Sequence, residues 1–119
     1  MADANFVSLS VDGDGFFGTD EHGNHFSIEG EADFSNARFG GRVEALGSLF
    51  GLTATFSYLQ TGGYLSFSTD EKGEKSVFKT DVVFRNARIG GNTNFKGVQF
   101  GSKADFSGTQ TGGHVIGDN

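Results

Sequence analysis

The chain has 119 residues, a net charge of −6, 20 Gly, 14 Phe and no Pro, Cys or Trp. This length supports one domain, residues 1–119. So many aromatic residues exclude a disordered chain, and so many glycines, each of which weakens a helix by about 1 kcal/mol, exclude a helix bundle. The composition instead favours an all-β chain of short strands and tight turns.

The charge and the cysteine count restrict the partners and the compartment. A net charge of −6 disfavours direct binding to nucleic acid or to an anionic membrane, and no apolar run approaches the roughly 20 residues that span a bilayer. Zero cysteine excludes disulfides and thiolate metal sites and fits a reducing compartment such as the cytoplasm. The first five residues lack the charged and apolar regions of a signal peptide.

Residues 1–16 are predicted to form an N-terminal strand that caps the domain. The segment 6–11 alternates like a strand. Its apolar side chains on one side are Val7, Leu9 and Val11. The segment 12–15 reads Asp-Gly-Asp-Gly and is predicted to be a turn. A calcium loop is the alternative, but the other ligands and the closing Glu of such a loop are missing.

From Phe17 onward the chain is an internal duplication. Sliding the sequence by 50 residues aligns residues 17–66 with residues 67–116, and 21 of the 50 positions are then identical. Within each unit, large side chains recur at alternating steps of five and six residues. Four such steps make one circuit, which leads from Phe34 to Phe56 and again from Phe84 to Phe106. This circuit predicts a solenoid, because one coil cannot bury its own apolar residues and must stack on the next.

Writing the chain with one circuit to a row places the large side chains in four columns. These are Phe34, Phe56, Phe84 and Phe106; Ile28, Phe50, Phe78 and Phe100; Phe17, Ala45, Phe67 and Phe95; and Phe39, Thr61, Ile89 and Thr111. We predict that the columns stack inside about four coils, at the strand-pairing distance of about 4.8 Å. Glycine pairs such as Gly40-Gly41 form a companion column, where a corner needs a positive φ or a close backbone approach.

The residues beside these columns support the same arrangement. Positions two apart share a face in an extended segment, so the small side chains that precede the Phe columns are expected to point inward. They include Ala32, Ala54 and Ala37, while the alternate positions Arg38, Gln60, Arg88 and Gln110 are expected to point outward. The glutamines separate the arginines, so that like charges are not adjacent in this outward row.

The interval from Phe56 to Phe84 is longer by six residues than the interval from Phe34 to Phe56. Together with the duplication, this difference indicates two six-residue insertions, between Phe17 and Ile28 and between Phe67 and Phe78. Both are polar and are predicted to protrude as loops from one corner, two coils apart.

The insertions carry the candidate partner-facing residues. These are Asp20, Glu21, His22, His25, Asp70, Glu71, Lys72 and Lys75. The two histidines with their carboxylates are also candidate metal ligands. Two lysines replace them in the second insertion, so we favour a solvated loop and expect no cofactor.

Several segments carry a five-residue motif. Residues 32–36 (Ala-Asp-Phe-Ser-Asn) and 104–108 (Ala-Asp-Phe-Ser-Gly) resemble the Ala-(Asp/Asn)-(Leu/Phe)-X-X motif of the pentapeptide-repeat family, and looser copies begin at Ala37, Ala54 and Ala87. The resemblance covers about residues 28–116 and implies a right-handed, four-sided β-helix. Some members of that family resemble duplex DNA in shape and charge and bind DNA gyrase or topoisomerase. The residues that match the motif would be core residues, not catalytic ones.

The sequence favours a structural function over an enzymatic one. No Ser-His-Asp order, cysteine nucleophile or phosphate-binding glycine motif is evident, so no enzyme is expected. A solenoid leaves unpaired strand edges at its ends, and segment 112–119 offers neither a helix nor a charged cover. We therefore expect a homo-oligomer that associates end to end, as a closed dimer or a filament. The alternative is a protein-binding module, an acidic DNA mimic acting on a type II topoisomerase.

Overall fold

The computed structural model describes residues 3–18, 26–69 and 72–116, which form nineteen strands of two residues each and no helix. In chain order the strands are β1 Ala4–Asn5, β2 Ser10–Val11, β3 Gly15–Phe16, β4 Ser27–Ile28, β5 Ala32–Asp33, β6 Arg38–Phe39, β7 Val43–Glu44, β8 Leu49–Phe50, β9 Ala54–Thr55, β10 Gln60–Thr61, β11 Leu65–Ser66, β12 Val77–Phe78, β13 Val82–Val83, β14 Arg88–Ile89, β15 Thr93–Asn94, β16 Gln99–Phe100, β17 Ala104–Asp105, β18 Gln110–Thr111 and β19 Val115–Ile116. No helix in these residues is long and apolar enough to cross a membrane.

The strands form four parallel sheets, one for each side of a β-solenoid. Sheet A has the order β1-β5-β9-β13-β17, sheet B β2-β6-β10-β14-β18, sheet C β3-β7-β11-β15-β19 and sheet D β4-β8-β12-β16. Each strand pairs with the strand four positions further along the chain. The predicted all-β, four-sided solenoid is confirmed, and the described residues make four complete coils and three sides of a fifth.

The register confirms the two predicted insertions. In sheet A the Cα partners are Ala4, Ala32, Ala54, Val82 and Ala104, so long coils alternate with short coils that lack six residues. In sheet D the order is reversed: the first interval, from Ser27 to Leu49, is short, and the next, from Leu49 to Val77, is long. The extra residues therefore lie between sheets C and D in the first and third coils. This is one corner, two coils apart.

The predicted strand over residues 6–11 is wrong. The chain bends at a turn over residues 7–8, where Ser8 has a φ of 61°, so that β1 and β2 lie on different sides of the solenoid. Val7 points into solvent, whereas Leu9 and Val11 pack against the core. Residues 4–16 are therefore three sides of the first coil. They are not a separate cap.

The interior is filled by the predicted ladders. Phe34, Phe56 and Phe84 stack with ring centroids 5.0 and 4.7 Å apart and planes within 8° of parallel. Phe6 extends this ladder at 4.8 Å from Phe34, and Phe106 ends it at 5.2 Å from Phe84. The stacking exists because residues at the same position in successive coils are held at the strand-pairing distance.

The other ladders pack edge-on against the first. Phe50 and Phe78 stack at 5.0 Å, and Phe78 and Phe100 at 5.7 Å. Phe67 presents its edge to Phe78 at 5.3 Å. Ala45 interrupts the column that contains Phe67, and a cavity of about 10 Å³ lies beside it, which is room for about one water molecule. The core is continuous through the middle coils.

The alternation of five- and six-residue steps reflects two kinds of corner. A five-residue step closes a hydrogen-bonded turn, as where the amide of Ala37 donates to the carbonyl of Phe34 at 3.1 Å, with Asn36 in the left-handed region at φ 61°. A six-residue step is more open. A Cβ placed on Gly62 would collide with the carbonyl oxygen of Gly40 in the preceding coil. Close approach, and not positive φ, therefore explains the glycine-pair column.

Candidate functional site

The predicted loop residues fall partly outside the described structure. Lys72 and Lys75 are described and are exposed to solvent. The remaining candidates, Asp20, Glu21, His22, His25, Asp70 and Glu71, lie outside the described residues. Within residues 3–18, 26–69 and 72–116, no group of three His, Cys, Asp or Glu side chains is placed to hold a metal ion.

The outward row of sheet B is arranged as the sequence predicts. Arg38, Gln60, Arg88 and Gln110 occupy one column of paired positions, and all four side chains are exposed. Ser10 adds a fifth member in the first coil. This side of the solenoid is therefore polar and carries two separated positive charges.

A surface cluster on sheet C joins three successive coils and is absent from the candidate sites that the sequence analysis predicts. Its members are Asp14, Phe16, Arg42, Glu44 and Tyr64 (the sheet C cluster). The Arg42 guanidinium lies 3.7 Å from Asp14, 3.9 Å from Glu44 and over the rings of Phe16 and Tyr64 at 5.3 and 5.8 Å. The Tyr64 hydroxyl donates to Glu44 Oε1 at 2.7 Å. The contacts within the cluster link the first three coils on the outer surface of sheet C.

The hydrogen bond to Glu44 also perturbs Tyr64. This bond, the partial desolvation of the ring hydroxyl and the negative charge of Glu44 together raise the pKa of Tyr64 above its ordinary value of 10.0. Neutral Tyr64 is the form that donates. A signal for the cluster exists in the sequence, since one long interval separates Asp14 from Arg42 and one short interval separates Arg42 from Tyr64.

The carboxylate of Asp105, in the last strand of sheet A, accepts three hydrogen bonds. The hydroxyl of Ser107 donates at 2.5 Å, Arg85 Nη2 at 2.7 Å and the amide of Ser107 at 2.9 Å. These donors hold the pKa of Asp105 well below its ordinary range, the Ser107 hydroxyl contributing most. Asp105 is therefore an ionised structural group.

The last coil exposes apolar side chains that the inner coils bury. Phe100 and Phe106 are each more than one-third exposed, and Val115 is 63% exposed. The matching residues one coil earlier, Phe78 and Phe84, are almost fully buried. Among the described residues, strands β16 to β19 each have a neighbour on one side only. At this end of the described structure, core side chains and unpaired strand edges are therefore exposed to solvent; we call this end surface the open cross-section of the last coil.

The first coil forms the opposite end of the described solenoid, and its strand edges are exposed in the same way. Strands β1 to β4 also pair on one side only within the described structure, and Phe6, Leu9 and Val11 are partly buried against the core. Phe16 is exposed on the outside of sheet C beside Arg42. Both ends of the described solenoid therefore offer unpaired backbone groups and apolar side chains to a partner.

The chain is similar to one protein family over part of its length. A model described as pentapeptide repeats (9 copies) matches residues 74–116. Within that segment the chain carries pentapeptide repeats. The comparisons with curated proteins and with solved structures gave no match.

The structure explains the polar second position of the pentapeptide repeat. In residues 32–36 the carboxylate of Asp33 accepts a hydrogen bond from the amide of Ser35 at 2.9 Å. Asn5 does the same for the amide of Val7 at 3.0 Å, and Asp105 for the amide of Ser107. An Asp or Asn at this position satisfies a turn amide that would otherwise lack a partner. In these repeats the Asp or Asn therefore stabilises the corner.

Pentapeptide-repeat proteins are generally structural or binding modules. The repeat residues of this chain fit such a role, because the Phe and Ala of each repeat are buried in the inner coils and the Asp or Asn is used by the backbone. What remains available for function is the outer surface, the corner that carries the insertions and the two end coils.

Proposed function

We propose that this chain is a structural, self-assembling protein that associates end to end through the exposed edges of its terminal coils. The observation that carries the proposal is the open cross-section of the last coil. Half of the exposed large apolar side chains of the described residues lie on or beside strands β16 to β19. They are Phe100, Phe106, Val115 and Ile116.

Two physical effects favour another copy at this position. Unpaired edge strands offer rows of amides and carbonyls that template further strand pairing, and a second edge of matching geometry satisfies them. Burial of the exposed faces of Phe100, Phe106 and Val115 adds roughly 25 cal/mol per Å² of apolar surface. A closed dimer, joined through like ends, and an open filament, joined head to tail, both meet these requirements.

The test is a charge placed on the exposed end, Val115→Asp. The matched control is Tyr58→Asp, because Tyr58 is 53% exposed but lies in a middle coil, with paired strands on both sides. We expect the wild-type chain and the control to associate with rising concentration in sedimentation and light-scattering measurements, and Val115→Asp to associate at least about tenfold more weakly. A wild-type chain that stays monomeric at every concentration would refute the proposal.

A second candidate is a protein-binding module, an acidic DNA mimic that acts on a type II topoisomerase. One observation favours it: residues 1–37 contain eight Asp or Glu and no Lys or Arg, so the N-terminal third of the chain is strongly acidic. The outward arginines of sheet B count against it, because a DNA mimic needs a continuous acidic surface. A DNA gyrase supercoiling assay decides, and no change in supercoiling at about micromolar protein would exclude this candidate.

A further inference from the structure

The charge of the chain is polarised along the solenoid axis. Residues 1–37 contain eight Asp or Glu and no Lys or Arg, whereas residues 38–119 contain seven Asp or Glu and all nine Lys or Arg. The formal charge is therefore −8 on the first segment and +2 on the second, which together give −6. Because each coil follows the previous one along the axis, this difference in sequence becomes a difference between the two halves of the solenoid.

The described residues show the same polarity. From residue 3 to residue 37 the described charged side chains are all acidic: Asp3, Asp12, Asp14, Glu29, Glu31 and Asp33. In residues 72–116 seven are basic and three acidic. Lys103 directly precedes the last coil, strands β17 to β19, in which Asp105 is the one Asp, Glu, Lys or Arg side chain. Joining two first coils brings acidic side chains together, whereas joining the first coil to the last brings them next to Lys103 and the basic half that precedes it.

The registers of the two end coils are also complementary. Ala4 and Ala104 occupy the same column of sheet A, and Asp3 and Lys103 precede them, so both residues lie at the same corner. A second copy that continues the register places its Asp3 next to Lys103, at about one strand spacing of 4.8 Å. Lys103 thus meets the carboxylate of Asp3 of the next copy, which also accepts a hydrogen bond from the amide of Glu31 within its own chain at 2.8 Å.

The apolar side chains match in the same arrangement. Phe6 and Phe106 are the two ends of one ring ladder, and Phe106 has no ring beyond it within the described residues. The ring of Phe6 from the next copy continues that ladder. On sheet C the exposed Ile116 and the exposed Phe16 share an outward column, so they also become neighbours.

We infer that the partner of each end is the opposite end of a second copy, so that the chain assembles head to tail into an open filament; this inference rests on the proposed self-association. Sheets A, B and C are joined directly, because each has five strands. Sheet D has four among the described residues and contributes one rung fewer at each junction. A heterologous contact that repeats along one axis does not close, which is why a filament forms and not a dimer.

The test exchanges the charges at the junction. Asp3→Lys places two lysines side by side at the junction, Lys103→Glu places two acids there, and the double variant exchanges the two charges but keeps them complementary. We expect each single variant to associate about tenfold more weakly than the wild type. The double variant should regain the wild-type affinity, and an equimolar mixture of the two single variants should co-assemble. Lys79→Glu is the matched control and should assemble normally, because Lys79 follows strand β12, which is paired on both sides.

Sedimentation velocity, a salt series and negative-stain microscopy provide the readouts. Head-to-tail assembly weakens as NaCl rises, because screening removes an attraction, and it produces filaments. A closed dimer, an association that strengthens with salt, or a double variant no better than the single variants would overturn the head-to-tail inference while leaving self-association intact. A chain that is monomeric at every concentration and salt would overturn both.

Discussion

Truncating one ring in the middle of the Phe6–Phe106 ladder and one at its end should have different costs. Phe84 is 1% exposed, stacks between Phe56 and Phe106, and meets the edges of Phe67 and Phe95 at 5.9 and 5.7 Å. A fully buried Phe→Ala change costs about 3–5 kcal/mol, because the cavity adds to the lost transfer free energy. We expect Phe84→Ala to lower the free energy of unfolding by this amount.

Phe106→Ala is the matched variant at the end of the same ladder. Phe106 is 38% exposed and stacks on one ring only among the described residues. Only about three-fifths of its side-chain surface is therefore buried and can be lost, and the neighbouring side chains can move into the space that the ring leaves. The expected cost is about 2–3 kcal/mol for the monomer. The difference between the two variants is the quantity to measure, because errors in the unfolded reference state affect both.

Urea unfolding followed by circular dichroism, at a protein concentration low enough to keep the chain monomeric, measures both costs. Phe84→Asp extends the series: a buried, unpaired carboxylate adds several kcal/mol, enough to abolish folding in a domain that holds about 5–15 kcal/mol. A soluble, folded Phe84→Asp protein, or a Phe106→Ala cost equal to that of Phe84→Ala, would refute the ladder as the source of stability.

Three further predictions concern polar groups. The hydroxyl of Thr93 is buried without a hydrogen-bond partner among the described residues, so Thr93→Val should raise the free energy of unfolding by about 1 kcal/mol in urea unfolding. Ser76 accepts the buried amide of Ser48 at 3.1 Å, so Ser76→Ala should lower it by about 1–3 kcal/mol. Glu44→Ala removes the hydrogen bond and the charge that raise the pKa of Tyr64, so spectrophotometric titration should show that pKa falling. In the wild type the contribution of this bond is complete below pH 10.0 and is lost as the pH rises through the higher folded-state pKa.

Each of these variants has a control in the chain. The hydroxyl of Thr61 donates to the carbonyl of Gly63 at 2.8 Å, so Thr61→Val should destabilise where Thr93→Val stabilises. Ser102 is exposed, and Ser102→Ala should change the stability by less than about 0.5 kcal/mol. Asp81→Ala removes a carboxylate outside the sheet C cluster and should leave the pKa of Tyr64 unchanged. The three predictions fail if variant and control behave alike.

The ladders can be predicted because the spacing that carries them is visible in the sequence. Phe34, Phe56 and Phe84 follow one another by a short and then a long interval, and the strands beside them pair in that register. Phe6 precedes Phe34 by the same interval that separates Phe56 from Phe84, yet the pattern of the N-terminal segment favours a separate strand. Its alternating residues imitate an extended strand over 6–11, and only the turn at Ser8 breaks it.

The corners are harder to predict because the residue at their left-handed position varies among Asn, Gly, Ser and Tyr. Tyr58 and Ser8 adopt the left-handed conformation that Asn36 and Asn86 adopt more readily, so no single residue type identifies the turn. The buried pair Ser48 and Ser76 escapes prediction for a related reason: a serine beside a polar insertion is interpreted as a solvated residue. Both hydroxyls in fact donate to the carbonyl of Ala45.

The candidate site can be predicted only in outline. Exposed edges follow from stacking alone, so the sequence indicates them, and the exposure of Val115 and Phe106 agrees with that expectation. The difference in charge between the two halves requires the coil order as well as the charges. The sheet C cluster requires knowing that Asp14, Arg42 and Tyr64 lie side by side, which depends on the register of the first coil.

The alternation of long and short coils has a consequence for what one edge of the molecule can display. The two points where the longer coils depart from sheet C are separated by two strand spacings, about 9.6 Å, and this is close to the distance of about 10 Å at which two layers of side chains interdigitate. If every coil were long, neighbouring insertions would be one strand spacing apart and would compete to pair as extra strands. The short coil between them acts as a spacer, so the sequence inserted at each point can change independently while the wall of the solenoid stays the same.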